Sequence, residues 1–280
     1  VLIDLHTHSS VSDGTDSPSE LVRAARDRGL DVVAITDHDT TAGWDEALSA
    51  APSGLVVVPG MEMSCVGRGE DGDPVPVHLL AYLFDPNNEV FAGELERLRS
   101  ERAERIRLMA ELLAADHPAI VPDEILAATG ESAGRPHLAR ALVDAGIVGS
   151  VQEAFDSHLA TDSPYYVAKI DTPLELAVEM IAAAGGVSVV AHARARSRGR
   201  LLDPTQIREL ATLGLDGLEV FHADHNADDT RFMSDLADEL GLIATGSSDY
   251  HGKNKVLELG EHTTEVDQYD RILAAASRVP

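Results

Sequence analysis

Toward both ends of the chain, short apolar runs alternate with stretches in which apolar residues recur at helical spacing. Residues 1–5, 31–36, 55–58 and 77–84 read as strands in the first third, and 187–191, 217–221 and 242–245 in the last. Ser17-Pro18-Ser19-Glu20 has the form of a capping box with proline at the first helical position, and Gly29 ends that helix. Further helices are expected over 40–51, 172–184, 204–213, 228–240 and 267–276, with a closing strand over 256–259. Strands separated by helices predict an α/β protein with a largely parallel sheet. Asp71-Gly72-Asp73-Pro74 reads as a turn.

The middle of the chain differs. Phe91, Leu95, Leu98, Ile106, Met109 and Leu113 share one face of a long helix whose other face is dense in Arg and Glu. Shorter helices are expected over 123–128, 136–145 and 150–159. The resulting organisation is a βα-barrel-like body, residues 1–86 and 163–280, carrying an all-α insertion over 87–162 as a cap for substrate.

Composition narrows the function. The 280 residues hold 48 acidic and 22 basic side chains, a net charge of −26, which repels polyphosphate and anionic membranes. No long nucleic acid, membrane or obligate protein partner is therefore expected. Cys65 is the single cysteine, and the opening residues do not read as a secretory leader, so the expected location is the cytoplasm. Twelve histidines against three lysines point instead to metal.

Potential ligands recur at the ends of the expected strands, where the chemistry of a parallel barrel gathers. The first strand runs into His6-Thr7-His8, the second into Asp37-His38-Asp39, and the third is followed by Glu62. His192, His222 and Asp249-Tyr250-His251 follow later strands; only His78 sits near the start of its own. A His-x-His step puts both imidazoles on one side of a strand, able to share an ion. Nine candidates (His6, His8, Asp13, His38, Glu62, His78, His192, Asp249 and His251) exceed what one ion uses. They suit two or three divalent ions, with Glu62 bridging. Imidazole and carboxylate without thiolate favour Mn, with Fe, Zn or Co as alternatives.

His6-Thr7-His8 with Ser12-Asp13-Gly14, then Ile35-Thr36-Asp37-His38, Gly60-x-Glu62, Ala191-His192 and Asp249-x-His251, resemble the polymerase-and-histidinol-phosphatase (PHP) metal-dependent phosphoesterases. The resemblance implies a distorted (β/α)7 barrel with a three-metal centre. His6, His8, Glu62 and Asp249 would hold the first ion, Glu62, His78 and His192 the second, and Asp13, His38 and His251 the third. Gly134-Arg135-Pro136-His137, Pro164-Tyr165-Tyr166-Val167-Ala168-Lys169 and Glu219-Val220-Phe221-His222-x-x-His225 are similar to the branch that hydrolyses nucleoside 3′,5′-bisphosphates, some members of which trim short RNA from the 5′ end.

The expectation is a phosphomonoesterase in which metal-activated hydroxide attacks phosphorus in line. Its substrate would be a nucleoside 3′,5′-bisphosphate, with short 5′-phosphorylated oligonucleotides as a further possibility. Arg135, His137, Lys169, Arg194 and His225 would bind substrate phosphate, and His222 would serve catalysis. The alternatives for Arg135 and Lys169 are incidental surface charges. Where the family often carries Pro and then Gly-Arg, the run is Ala193-Arg194-Ala195-Arg196-Ser197-Arg198-Gly199-Arg200, so which arginine reaches phosphate stays open. Two rival functions are a histidinol-phosphate or other sugar-phosphate phosphatase, and a non-catalytic metal-stabilised interaction module.

Overall fold

Among residues 1–129 and 132–276, which the computed structural model describes, seven strands follow one another round a nearly closed sheet. They are β1 (Ile3–Asp4), β2 (Val32–Ile35), β3 (Val56–Arg68), β4 (Pro74–Tyr82), β6 (Val187–Val190), β7 (Gly217–Phe221) and β8 (Ile243–Gly246), and a two-residue β5 (Thr172–Pro173) pairs off this path with β3. Closure comes from Thr7 bridging to Tyr250, with the His8 amide 2.8 Å from the Tyr250 carbonyl. The barrel interior is filled by alternate residues: Ile3 and Leu5, Val32 and Ala34, Leu80 and Tyr82, Val187 and Val189. The Tyr82 hydroxyl, fully buried among them, donates to the Leu5 carbonyl at 2.8 Å.

One strand runs against the rest. β1, β2 and β3 are mutually parallel, as are β6, β7 and β8, whereas β4 is antiparallel to both its neighbours, β3 and β6. β3 and β4 form a hairpin closed by a turn at Gly72, whose φ of 85° suits glycine. This corrects the expected third strand. β3 runs to Arg68 because Met61, Met63 and Cys65 alternate with Glu62 and Ser64, and both sets are buried.

Outside the sheet lie α1 (Pro18–Asp27), α2 (Trp44–Ala50), α7 (Leu174–Ala183), α8 (Pro204–Leu213), α9 (Ala227–Leu240) and α10 (Val266–Ala276). The Ser17–Glu20 capping box forms as read. The expected closing strand over 256–259 does not: Val256 is fully exposed, and Leu259 packs instead among the residues of α1.

Between β4 and β5 the chain forms α3 (Glu89–Asp116), α4 (Pro122–Ala128), α5 (Arg135–Asp144) and α6 (Val151–Asp156). The apolar residues of this stretch fall in two clusters. Phe91, Leu95 and Leu98 of α3 belong to the barrel-side core, whereas Ile106, Met109 and Leu113 pack with Leu138, Leu142 and Leu159 in a core of the cap. Tyr165, Tyr166 and Val167 pack on that second core. No described helix is long and apolar enough to cross a membrane.

Candidate metal centre

The reversed direction of β4 explains the placement of His78. Because β4 is antiparallel to β3, its early residues lie beside the late residues of β3, and His78 pairs in register with Ser64, two residues beyond Glu62. His78 therefore reaches the same barrel rim as ligands carried on the ends of the parallel strands.

Glu62 stands at the centre of the cluster. Its Oε2 lies 3.2 Å from His6 Nε2, 3.0 Å from His8 Nε2 and 3.1 Å from His38 Nδ1. Its Oε1 lies 2.6 Å from His78 Nδ1 and 3.0 Å from His192 Nε2. Asp249 Oδ1 is 3.5 Å from His6 Nε2 and 3.4 Å from both His8 Nε2 and His251 Nδ1. Asp13 faces His8 and His251 with one oxygen, at 3.6 and 3.3 Å, and His38 with the other at 3.6 Å. All nine expected ligands thus meet. The donor atoms fall into four overlapping groups rather than the three sets implied by the family: His8 joins Asp13, His38 and His251, while His38 also joins Glu62 and His78.

This donor set fits divalent metal. His38 Nδ1 and His78 Nδ1 are buried and close to Glu62, yet neither makes a hydrogen bond, so the rings aim beside the carboxylate rather than at it. His6 Nε2 and His8 Nε2 face each other at 3.0 Å. The electrostatics call for positive charge. Burial pushes the His8 pKa down, but Asp249 and Glu62 outweigh it and raise it to about 9. Burial alone would raise the Glu62 pKa, yet the imidazoles of His78, His38 and His6 hold it well below the usual carboxylate range. In such a site a divalent ion replaces the protons that the carboxylates otherwise draw in.

A surrounding layer fixes these groups. Buried Glu219 accepts His6 Nδ1–H at 3.0 Å and the His192 amide at 2.7 Å, and Ser247 Oγ also donates to it. Asp37 accepts from Ser9 and Ser12, bracing the turn that carries Asp13. Asp39 accepts from Ser64 and from Arg102 of α3, tying the cap to the barrel. Asp39, His192 and Asp249 hold φ of 53°, 30° and 53°, a region costly for residues with a Cβ. Such strain persists only where the surroundings impose it.

The expected phosphate groups separate into two kinds. Arg135 stacks on Phe155 and Tyr166, at 5.2 and 5.9 Å from the ring centres, and donates to the Leu159 carbonyl at 3.0 Å. Arg105 of α3 shares the Tyr166 ring at 5.1 Å, and burial with the nearby Arg135 charge lowers its pKa to about 10. Lys169 lies 2.8 Å from Asp171, and burial followed by the Arg102 charge lowers its pKa to about 8. His137 and Arg140, both desolvated, lie near enough to Asp13 to feel its charge. His137 and Arg140 thus lie by the ligand cluster, whereas Arg105, Arg135 and Lys169 gather around Arg102, which pairs with Asp39. Arg102 and Arg105 lie on the stretch of α3 whose Arg and Glu spacing predicts a solvated face, and no motif marks Arg140.

Arg194 and His225 both have partners within the protein. The Arg194 guanidinium contacts Glu70 at 2.5 Å and Asp229 at 3.4 Å, beside the Phe232 ring. Arg196 pairs with Asp229 and Arg200 with Asp71 and Asp73, while the Arg198 side chain lies outside the described residues. His225 donates from Nδ1 to the Val220 carbonyl at 2.9 Å and accepts the Arg194 amide on Nε2 at 3.3 Å, which leaves neither nitrogen for a phosphate. It braces the loop after β6. His222, fully buried, accepts the Asp224 amide on Nδ1 at 3.0 Å, so its proton sits on Nε2, 3.4 Å from Asp249 Oδ2.

The PHP domain family matches residues 4–157 of this chain. Over 252 residues the chain is 36% identical to the 3′,5′-nucleoside bisphosphate phosphatase of Chromobacterium violaceum, covering 89% of this chain and 87% of that one. It is 32% identical over 267 residues to a 5′-3′ exoribonuclease of Haemophilus influenzae, covering 94% and 95% of the two chains. A solved protein of Bifidobacterium adolescentis, classed as a metal-dependent phosphoesterase, superimposes with a TM-score of 0.91 at 39% identity, over 98% of this chain and 96% of that one. Likeness of this extent, on a barrel that carries the family's motifs at one rim, makes the resemblance a membership: this chain belongs to the PHP domain family.

Proposed function

We propose that this protein is a metal-dependent phosphomonoesterase that hydrolyses nucleoside 3′,5′-bisphosphates. The observation that carries the reading is the juxtaposition of two unlike groups. Nine imidazole and carboxylate ligands converge on one rim, and beside them Arg140 feels the charge of Asp13 and Lys169 that of Asp39, with Arg105 and Arg135 close to Arg102, in a chain of net charge −26. The relatives named as a bisphosphate phosphatase and an exoribonuclease support nucleotides as the substrate class.

His6, His8, Asp13, His38, Glu62, His78, His192, Asp249 and His251 hold two or three ions, Mn2+ first among those that suit these donors. Divalent ions so held lower the pKa of water and neutralise charge on the phosphate being cleaved. Arg135 and Lys169, with Arg105 beside them, clamp the second phosphate and orient the nucleoside. His222 offers its Nε2–H as a hydrogen bond to the leaving oxygen, which takes its proton from solvent water. The paired arginines also suit the phosphate of a short 5′-phosphorylated oligonucleotide, the reading favoured by the exoribonuclease relative. The unpaired, buried Cys65 supports work in the reducing cytoplasm.

The test is phosphate release by the Mn2+-loaded protein from adenosine 3′,5′-bisphosphate, histidinol phosphate, an aryl phosphate and a 5′-phosphorylated trinucleotide. The bisphosphate should give the highest kcat/KM. Preference for histidinol phosphate would overturn the proposal, and no turnover of any of the four would leave an interaction module.

A further inference from the structure

We propose that Lys255 is a positioning residue of the metal centre, holding one oxygen of Asp249 so that the carboxylate presents only the other to an ion. The proposal rests on the metal-binding reading above. The two oxygens of Asp249 have different surroundings: Oδ1 faces His6, His8 and His251 at 3.4–3.5 Å. Oδ2 lies 2.5 Å from Lys255 Nζ and 3.4 Å from His222 Nε2. An ammonium has three donors and no acceptor, so Lys255 cannot itself be a ligand. Next to a cluster that gathers cations its charge is unfavourable by itself, and what it supplies is direction.

The backbone around Lys255 is built to hold it there. Asp249 has a φ of 53°, and a tight turn at Gly252–Asn254 follows, with Gly252 at 63°. A Cβ on Gly252 would come within 2.0 Å of Thr15 Oγ1, the same oxygen that accepts the Lys253 amide at 3.0 Å. Asn254 Nδ2 donates to the Asp13 carbonyl at 2.7 Å. One short loop therefore touches the segment of Asp13 and the carboxylate of Asp249, two of the nine ligands, and sets Lys255 between the ligand cluster and solvent, with 31% of its side chain exposed. A lysine anchored at its neighbours and directed to one oxygen of a buried acid differs from a surface charge that happens to lie nearby.

Calorimetric titration of metal-stripped protein with Mn2+ reads the effect without substrate. Lys255→Met should weaken at least one binding step by about 10- to 100-fold, the usual cost of losing a group that orients a ligand. Lys255→Arg, which keeps charge and donors, should recover most of that loss. Circular dichroism establishes that each variant is folded; should Lys255→Met fail, Lys255→Ser replaces it under the same criterion. Native affinity in the folded neutral variant, or an arginine variant as weak as the neutral one, would overturn the proposal. Failure of the unaltered protein to bind Mn2+ would instead overturn the metal reading itself.

Discussion

Glu219 accepts the Nδ1–H of His6 at 3.0 Å, with both side chains fully buried, and that contact turns the Nε2 lone pair of His6 toward Glu62 and Asp249. Burial by itself would raise the Glu219 pKa, but His6 and His222 draw it well below the usual range, so it acts only as an acceptor. The same carboxylate holds the His192 amide, which places one acid behind two proposed ligands. Glu219→Ala should lower metal affinity or kcat/KM by about 10- to 100-fold. Glu219→Gln, still an acceptor, should lose less. Equal affinity and rate in Glu219→Ala and the unaltered protein would remove it from the site.

Metal content should exceed one ion per chain in protein purified without chelators, measured by elemental analysis. Nine ligands in four overlapping groups motivate the expectation. His6→Ala should lower both metal content and activity, because water does not replace a buried imidazole at equal affinity. Less than one ion per chain in the unaltered protein would count heavily against the site.

Metal affinity should tighten as pH rises toward 9. Without metal, the His8 pKa is raised to about 9, so His8 carries a proton throughout the neutral range and an incoming ion has to displace it. Each displaced proton strengthens apparent binding by about tenfold per pH unit until the group has titrated. Calorimetry between pH 6 and 9 in two buffers of different ionisation enthalpy should report proton release. A flat affinity across that range would show that the imidazoles are not ligands.

Arg135→Ala should damage turnover of adenosine 3′,5′-bisphosphate far more than that of an aryl phosphate. A lost charge-assisted phosphate contact costs about 1.5–3 kcal/mol, or roughly 10- to 150-fold in kcat/KM. Equal losses on both substrates would place Arg135 at the reacting phosphate or in the scaffold.

Lys169, with its pKa lowered to about 8, gives the same phosphate subsite an alkaline limit. The ammonium is intact below pH 8 and lost above it, so KM for the bisphosphate should rise from pH 8 upward. Lys169→Arg, charged throughout, should abolish that rise. Its persistence would assign the limb to another group.

The ion pair between Arg102 and Asp39 should carry stability as well as position. Arg102→Ala leaves a buried carboxylate uncompensated, at a cost of about 3–5 kcal/mol. Burial raises the Asp39 pKa, but the charges of Arg102 and then Lys169 bring it down to about 2. Its contribution is therefore present above the ordinary aspartate pKa and lost as pH falls through about 2. Chemical denaturation of the variant at pH 7 measures the cost, and a loss below 1 kcal/mol would make the pair incidental.

The ligand types and their local spacing are legible in the residues themselves, because His-x-His, Asp-x-His and the capping box at Ser17 depend only on backbone period and side-chain chemistry. So are the alternation that makes a barrel and the PHP motifs that name its rim. Three things required the tertiary structure. His78 looked misplaced until β4 proved antiparallel, since strand direction depends on partners remote in the chain. Arg102 and Arg105 looked like solvated helix charges, because periodicity reports which residues share a face but not what that face meets. Arg194 gave no sign in the sequence of its pairing with Glu70 and Asp229, carboxylates from distant segments. A charged side chain takes its role from the groups it meets, and in this fold those groups come from segments far away in sequence.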